Sequence, residues 1–258
     1  MKSFPSIPTR ALILKEWKYI KGKIIPLSIG LALFGFLTVG MLKVLPNLAE
    51  YLEGFMPEVT PEMSVESFVN SAISVISIIA VILCADAIAG EREHNTLVLI
   101  QTKPISPFSV ILTKLIARYL LVLFGTIVSA IVLYFSTWGL IGYPDIVSFI
   151  LAMVVYAITL FAFTSIGIFI STIAKSQISA GAIAAGIVFL ITIVSSLLMF
   201  EEFQPYNIFM LSANLVTMDF QASTIAIGCL VLFLVGFLFS ILAILRYYSE
   251  KEPARKKV

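Results

Sequence analysis

The chain has 258 residues, is 60% hydrophobic and only 12% charged, and carries a net charge of +2. A water-soluble domain of this length carries about 25% charged residues, so the composition excludes an ordinary soluble enzyme. The near-neutral balance also excludes a broad basic field for nucleic acid. An all-α polytopic membrane protein fits both facts.

The first recognisable element is "PTRALILKEWKYIKGK", which sets Ile13, Trp17, Ile20 and Ile24 at helical spacing with Lys15, Lys18 and Lys21 on other faces. This predicts an interfacial helix over about 9–22, with Trp17 at headgroup depth and its lysines reaching membrane lipid. Crossing the bilayer takes roughly 20 apolar residues. Six runs meet that length, at about 24–45, 68–89, 110–138, 146–173, 179–200 and 224–245. They are continuously apolar rather than alternating, which favours helices over a barrel. The first run is too long for a signal-peptide core and ends without a small-residue cleavage site, so it reads as an uncleaved span.

Of the 17 Lys and Arg residues, only Lys43 falls on the side opposite the termini. The loops on that opposite side carry acids instead, among them Glu50, Glu58, Asp145 and Asp219. Basic flanks stay cytoplasmic, which predicts a multi-pass protein of the cell membrane with both termini in the cytoplasm. The acidic loop 46–67 is divided by Pro46, Pro57 and Pro61, and 201–223 mixes aromatic and polar residues in a way that suits short helices re-entering the membrane face.

The whole chain reads as one transmembrane domain. No segment outside the spans much exceeds about 20 residues, and no phosphate-binding Gly-Lys-Ser/Thr signature is present. The expectation is a chain without an ATP-binding or other catalytic domain, driven either by an ion gradient or by a partner. Cys84 and Cys229 both sit in apolar runs and offer neither a disulfide framework nor a zinc pattern.

Three groups of polar or small residues lie within the spans. Ser67, Asn70, Ser71, Ser74 and Ser77 fall on one side of the second span, where they either line a wet path or bond a neighbouring helix. In the fifth span, "SQISAGAIAAGIVF" repeats small residues four apart, and Gly181, Ala185 and Gly186 there suit helix packing or a contact between subunits. Asp86 is the only acid well inside a span. It is either an ion or proton site, as a gradient-driven secondary transporter would need, or the partner of a base such as Arg118.

The stretch "GEREHNTLVLIQTKPIS" at 90–106 gathers Glu91, Arg92, Glu93 and the chain's single histidine, His94. One histidine and two acids two residues apart make a poor metal site or catalytic cluster. As a binding surface the stretch is better suited: Gly90 lets the chain turn out of the second span, a short helix through "EREHNTL" presents a charged face, and Pro104 and Pro107 end it.

This segment resembles the permease subunits of the ABC type-2 export transporters. The likeness lies in E-x-E-x-x-T-L, here "EREHNTL" at 91–97, continuing through "TKPIS" at 102–106 into "FSVILTKLIARYLL". The basic lead-in and six-span layout agree. The family pattern often has Gly where this chain has Asn95, and often Arg where it has Pro107. The resemblance implies that Glu91, Arg92, Glu93, His94 and Thr96 form a coupling surface that docks in a cleft of a separate ABC ATPase. It also implies a pair of permeases, from a second copy or a paralogue, served by two ATPases that hold ATP and Mg. The second and fifth spans would then lie near the central path.

Overall fold

The computed structural model describes residues 9–51, 59–97, 105–197, 209–215 and 222–255. Among these residues all regular structure is helical, and six helices are long and apolar enough to cross a membrane. In chain order they are α1 (Thr9–Tyr51), α2 (Pro61–Ala85), α3 (Pro107–Leu140), α4 (Ile146–Ile173), α5 (Gln177–Leu197) and, after the short α6 (Leu211–Asn214), α7 (Ala222–Arg255). The fourth span begins and ends where the sequence places it.

The helix starts follow local chemistry. Thr60 accepts from the Met63 N–H ahead of α2, and Ser106 accepts from Ser109 N–H ahead of α3, each with Pro in the first turn. Proline suits that position because its missing N–H is an orphan donor there anyway. Asp145 caps α4 by accepting from Ser148 N–H at 2.8 Å, and its hydrogen bonds with Ser148 hold the carboxyl below the ordinary carboxylate range. At the far end of α3, Lys43 donates to the Leu140 carbonyl at 2.8 Å, a cation on a helix C-terminus.

Two expectations need correction. The interfacial segment 9–22 and the first span are one unbroken helix. Gly22 weakens the helix slightly, and Pro26, which removes a backbone donor and crowds the carbonyl one turn earlier, is carried within it rather than ending it. The acidic loop is also shorter than 46–67, because α1 continues to Tyr51 and α2 starts at Pro61. In the last loop, Met210 just ahead of α6 and Ala213 within it pack into the core beside Val65, Phe68 and Val69 of α2. Residues 198–208 and 216–221 of that region lie outside the described set.

The most deeply buried helix is α2, which packs against α3, α4 and α5, while α1 lies along α3 and α7 along α4. Small residues permit the close approaches. A Cβ on Gly167 of α4 would stand 2.9 Å from Cys84 Cβ and 3.1 Å from Val81 Cα, so only glycine fits this crossing. Cross-helix hydrogen bonds add direction: the Tyr156 hydroxyl donates to Ala72 O at 2.9 Å, and Ser64 and Thr137 hydroxyls meet at 2.9 Å.

Beyond Ala85, α2 runs on through a π-helical turn (Asp86–Gly90) into a last helical turn (Glu91–Glu93). Ser171 of α4 stitches this irregular turn. Its hydroxyl accepts from Ile88 N–H and Ala89 N–H, both at 3.0 Å, and donates to Ala85 O at 2.9 Å. All of these atoms are enclosed, so Ser171→Ala strands two buried donors. Since a hydrogen bond is worth about 1 kcal/mol net, a loss of about 1–2 kcal/mol is expected in detergent-solubilised unfolding. Ser171→Thr, which keeps the hydroxyl, should recover most of it.

Candidate functional site

The chain leaves the last turn of α2 by a defined route. Thr96 N–H donates to Glu91 O at 2.9 Å and Asn95 N–H to Arg92 O at 3.1 Å, with Asn95 at φ 56°. This is the Schellman ending, in which the residue after the cap adopts the left-handed conformation. Glycine and asparagine are the residues that tolerate it, so asparagine at 95 meets the same backbone need as glycine. Asn95→Gly should leave thermal stability unchanged. Asn95→Val should cost about 1–2 kcal/mol from left-handed strain at a β-branched residue, read as a lower unfolding midpoint.

The sequence expectation of a separate helix through 91–97 is therefore corrected. Gly90 is buried within the π-helical turn rather than turning the chain outward, Glu91–Glu93 complete α2, and His94–Thr96 form the turn. Leu97 is helical again, and residues 98–104, including Pro104, lie outside the described set.

Three successive side chains leave this turn toward three different parts of the bundle. Arg92 reaches α4 and α7: its Nε and Nη2 bind the two Glu250 carboxylate oxygens at 3.1 and 2.7 Å, Nη2 also reaches Thr172 O at 3.0 Å, and Nη1 reaches Ala174 O. These carbonyls belong to the C-terminal end of α4, where a cation is favoured. Glu93 accepts from Gln177 N–H at 2.8 Å, placing an acid on the N-terminus of α5.

Glu91 turns the other way, toward α1 and α3. It accepts from Lys15 at 2.5 Å and from Lys114 at 2.8 Å. Lys114, only 1% exposed, also binds Glu16 at 3.2 Å. Glu16 in turn pairs with Arg118, whose Nη2 lies 3.2 Å from Asp86, and Lys23 approaches Asp86 at 3.5 Å. The Arg118 guanidinium lies 3.7 Å over the Tyr19 ring, a cation–π contact. The result is one continuous chain of charge: Lys15, Glu91, Lys114, Glu16, Arg118, Asp86, Lys23. All of these but Lys23 line a crevice of about 400 Å³ with His94 and Thr96 on its wall.

Charges this deep within spanning helices persist because each has an opposite partner, and a buried ion without one is strongly unfavourable. Asp86 accordingly sits in an ion pair with Arg118, the second of the two readings its sequence position allowed. Among the described residues no group of three or more His, Cys, Asp or Glu is arranged to hold a metal ion.

The predicted surface residues thus divide. Glu91 is buried and Arg92 half-buried, both held within the chain. Glu93 is exposed yet tied to α5, and His94, Asn95 and Thr96 are exposed at the turn. Sequence reasoning passed over Glu16 and Lys114. A signal was present: Lys114 and Arg118 lie four apart in an apolar run, and Glu16 is the single acid in a basic lead-in.

Farther along α2, Ser67, Asn70, Ser71 and Ser74 share a half-buried face, and Ser77 is buried. Asn70 Oδ1 is enclosed without a hydrogen-bond partner among the described residues. On α5 the small residues divide as well. Ala180 and Ala184 are buried toward α2 and α4, a Cβ on Gly181 would lie 3.7 Å from Ala85 Cβ, Ala185 is half-buried, and Gly186 is open.

Comparison with known proteins adds a family. A family model described as "ABC-2 family transporter protein" matches residues 18–214. The chain is similar to "Inner membrane transport permease YhhJ" of Escherichia coli (strain K12), 38% identical over 109 residues that cover 42% of this chain and 28% of that protein. The protein of the same name from Shigella flexneri gives the same figures. The match thus spans little more than a quarter of the length of these curated relatives.

Proposed function

Because the chain belongs to the ABC-2 family of transporter proteins, we propose that it is the membrane-spanning permease subunit of an ATP-driven exporter, coupled to separate ATPase subunits. The observation that carries this reading is the turn at Glu91–Thr96. It presents exposed His94, Asn95 and Thr96 outward, and just behind them it is tied by Glu91, Arg92 and Glu93 to α1, α3, α4, α5 and α7. A push delivered there reaches five helices through charge-assisted bonds rather than through a flexible loop.

The basic end of the bundle faces the cytoplasm in this reading, which follows the distribution of Lys and Arg. ATP and Mg belong to the partner ATPase, and two permeases pair, each served by one ATPase. ATP binding and hydrolysis then bias the paired bundle between inward- and outward-facing packings. The polar face of α2, with Asn70 Oδ1 unpartnered among the described residues, lines the path or meets the second permease. The gradient-driven alternative loses its main support, since Asp86 is neutralised by Arg118 and Lys23.

Co-expression with an ABC ATPase and site-specific crosslinking tests the assignment. A photocrosslinker at His94→Cys or Thr96→Cys is expected to capture the ATPase, whereas one at exposed Tyr143, at the opposite end of the bundle, is not. Equal capture from both ends, or substrate movement by the purified chain alone under a proton or sodium gradient, would overturn it.

A further inference from the structure

We propose that the groove between α1 and α3 is a binding site for an anionic phospholipid, with its headgroup at Trp17 and Lys21 and a chain lying along α3. The groove has a cavity volume of about 680 Å³ and is walled by Trp17, Ile20 and Ile24 on one side and Ile116, Leu120 and Ile127 on the other. Both walls belong to membrane-spanning helices. The lining of α3 from Leu112 to Ile127 rises about 22 Å, against about 15 Å for half the hydrocarbon core, so an acyl chain fits lengthwise.

Charge at one mouth selects the headgroup. Lys21 lies exposed on the flank of this face, with its ammonium 5.7 Å from the Trp17 ring centre. Helical side chains lean toward the N-terminus, so Lys21 reaches back to the level of Trp17 and away from the hydrocarbon. An ammonium has three donors, and the ring face leaves some of them free for a phosphate. Lys18, one turn nearer the end and also exposed, has no acidic partner among the described residues, in contrast to Lys15 and Lys23. Glu16 also lines the groove, but its carboxylate is committed to Lys114 and Arg118 and so does not repel an anion. A second apolar groove of about 290 Å³, between α3 and α4, has no charged residue in its lining. The anionic preference therefore belongs to the α1–α3 groove.

The proposal goes beyond the ATPase assignment and does not depend on it. Trp138→Phe leaves Trp17 as the sole tryptophan. This variant, reconstituted in phosphatidylcholine vesicles, is titrated with phosphatidylglycerol or phosphatidylcholine brominated near the carboxyl end of the chains. Brominated phosphatidylglycerol is expected to quench Trp17 about fivefold more effectively, the preference that one lysine at a surface confers. Lys18→Gln with Lys21→Gln should bring the two lipids level. Ile116→Phe with Leu120→Phe, both on half-exposed positions, should remove the preference by filling the groove while the lysines remain. Equal quenching in the parent protein overturns the site. So does a preference that survives groove filling, since the lysines would then act only as surface charge.

Discussion

Lys114→Met is expected to lower the unfolding free energy by about 3–5 kcal/mol, the cost of breaking a buried ion pair from one side. Lys114 is 1% exposed and bridges two carboxylates, Glu16 and Glu91. Removing it leaves two acids in a low-dielectric setting, each with one remaining cation. The sign of the effect can be isolated. Glu91→Met added to Lys114→Met removes one stranded charge, and its other partner, Lys15, is 54% exposed and can turn to water. Replacing a buried pair by apolar residues is often close to neutral, so the double variant should recover much of the loss. Thermal unfolding of the four proteins in detergent closes a double-mutant cycle. A double variant no more stable than Lys114→Met alone would mean that packing of the lysine stem, and not its charge, is what matters there.

Arg92→Ala is expected to separate transport from ATP hydrolysis. The guanidinium binds both oxygens of Glu250 and the carbonyls of Thr172 and Ala174, so one side chain holds the last turn of α2 to α4 and α7. Hydrogen bonds to charged groups are worth about 1.5–3 kcal/mol, and four bonds on one partly buried group place the stability loss toward the upper end. His94 and Thr96 are untouched, so the complex with an ATPase should still form. Hydrolysis should continue while substrate movement falls about tenfold or more, the change expected when a tie of about 1.4 kcal/mol is removed from the coupled transition. Arg92→Lys keeps the charge but not the bidentate geometry and should recover only part. Full transport by Arg92→Ala would remove this arginine from the coupling route.

Much of the architecture was legible because hydrophobic runs report spans directly. Ile146–Ile173 coincides with its expected limits, and the charge distribution separated a basic end from an acidic one. The ends of the spans were less legible. Helices continue past the apolar runs, so α1 carries Pro46 within it and extends to Tyr51, and α2 extends to Glu93. The pairing of Asp86 with Arg118 was foreseeable from their positions, whereas Glu16 stood out only as the single acid of a basic lead-in, with no sign of its partners. Its partners lie 98 and 102 residues away, and nothing local to "LKEWK" indicates which helix will cover it. Glu91, Arg92 and Glu93 were found as a group for their charge. Their division among three directions depends on the phase of the helix, which the π-helical turn alters and periodicity alone does not reveal.

That turn also sets a rule for what the chain can lose. Successive residues on an α-helix are about 100° apart, and a π-helical turn carries one more residue than an α-helical turn. Deleting Ala87 would remove that extra residue and restore regular winding, so Glu91, Arg92 and Glu93 would keep nearly the directions they hold now. What would be lost is the irregular turn that Ser171 stitches. A second deletion, with no extra residue left to absorb it, would turn Arg92 toward Lys15 and Lys114 and Glu93 toward Glu250, like charge against like at each junction. The tolerance of this segment to substitution is therefore governed residue by residue, whereas its length has one residue to spare.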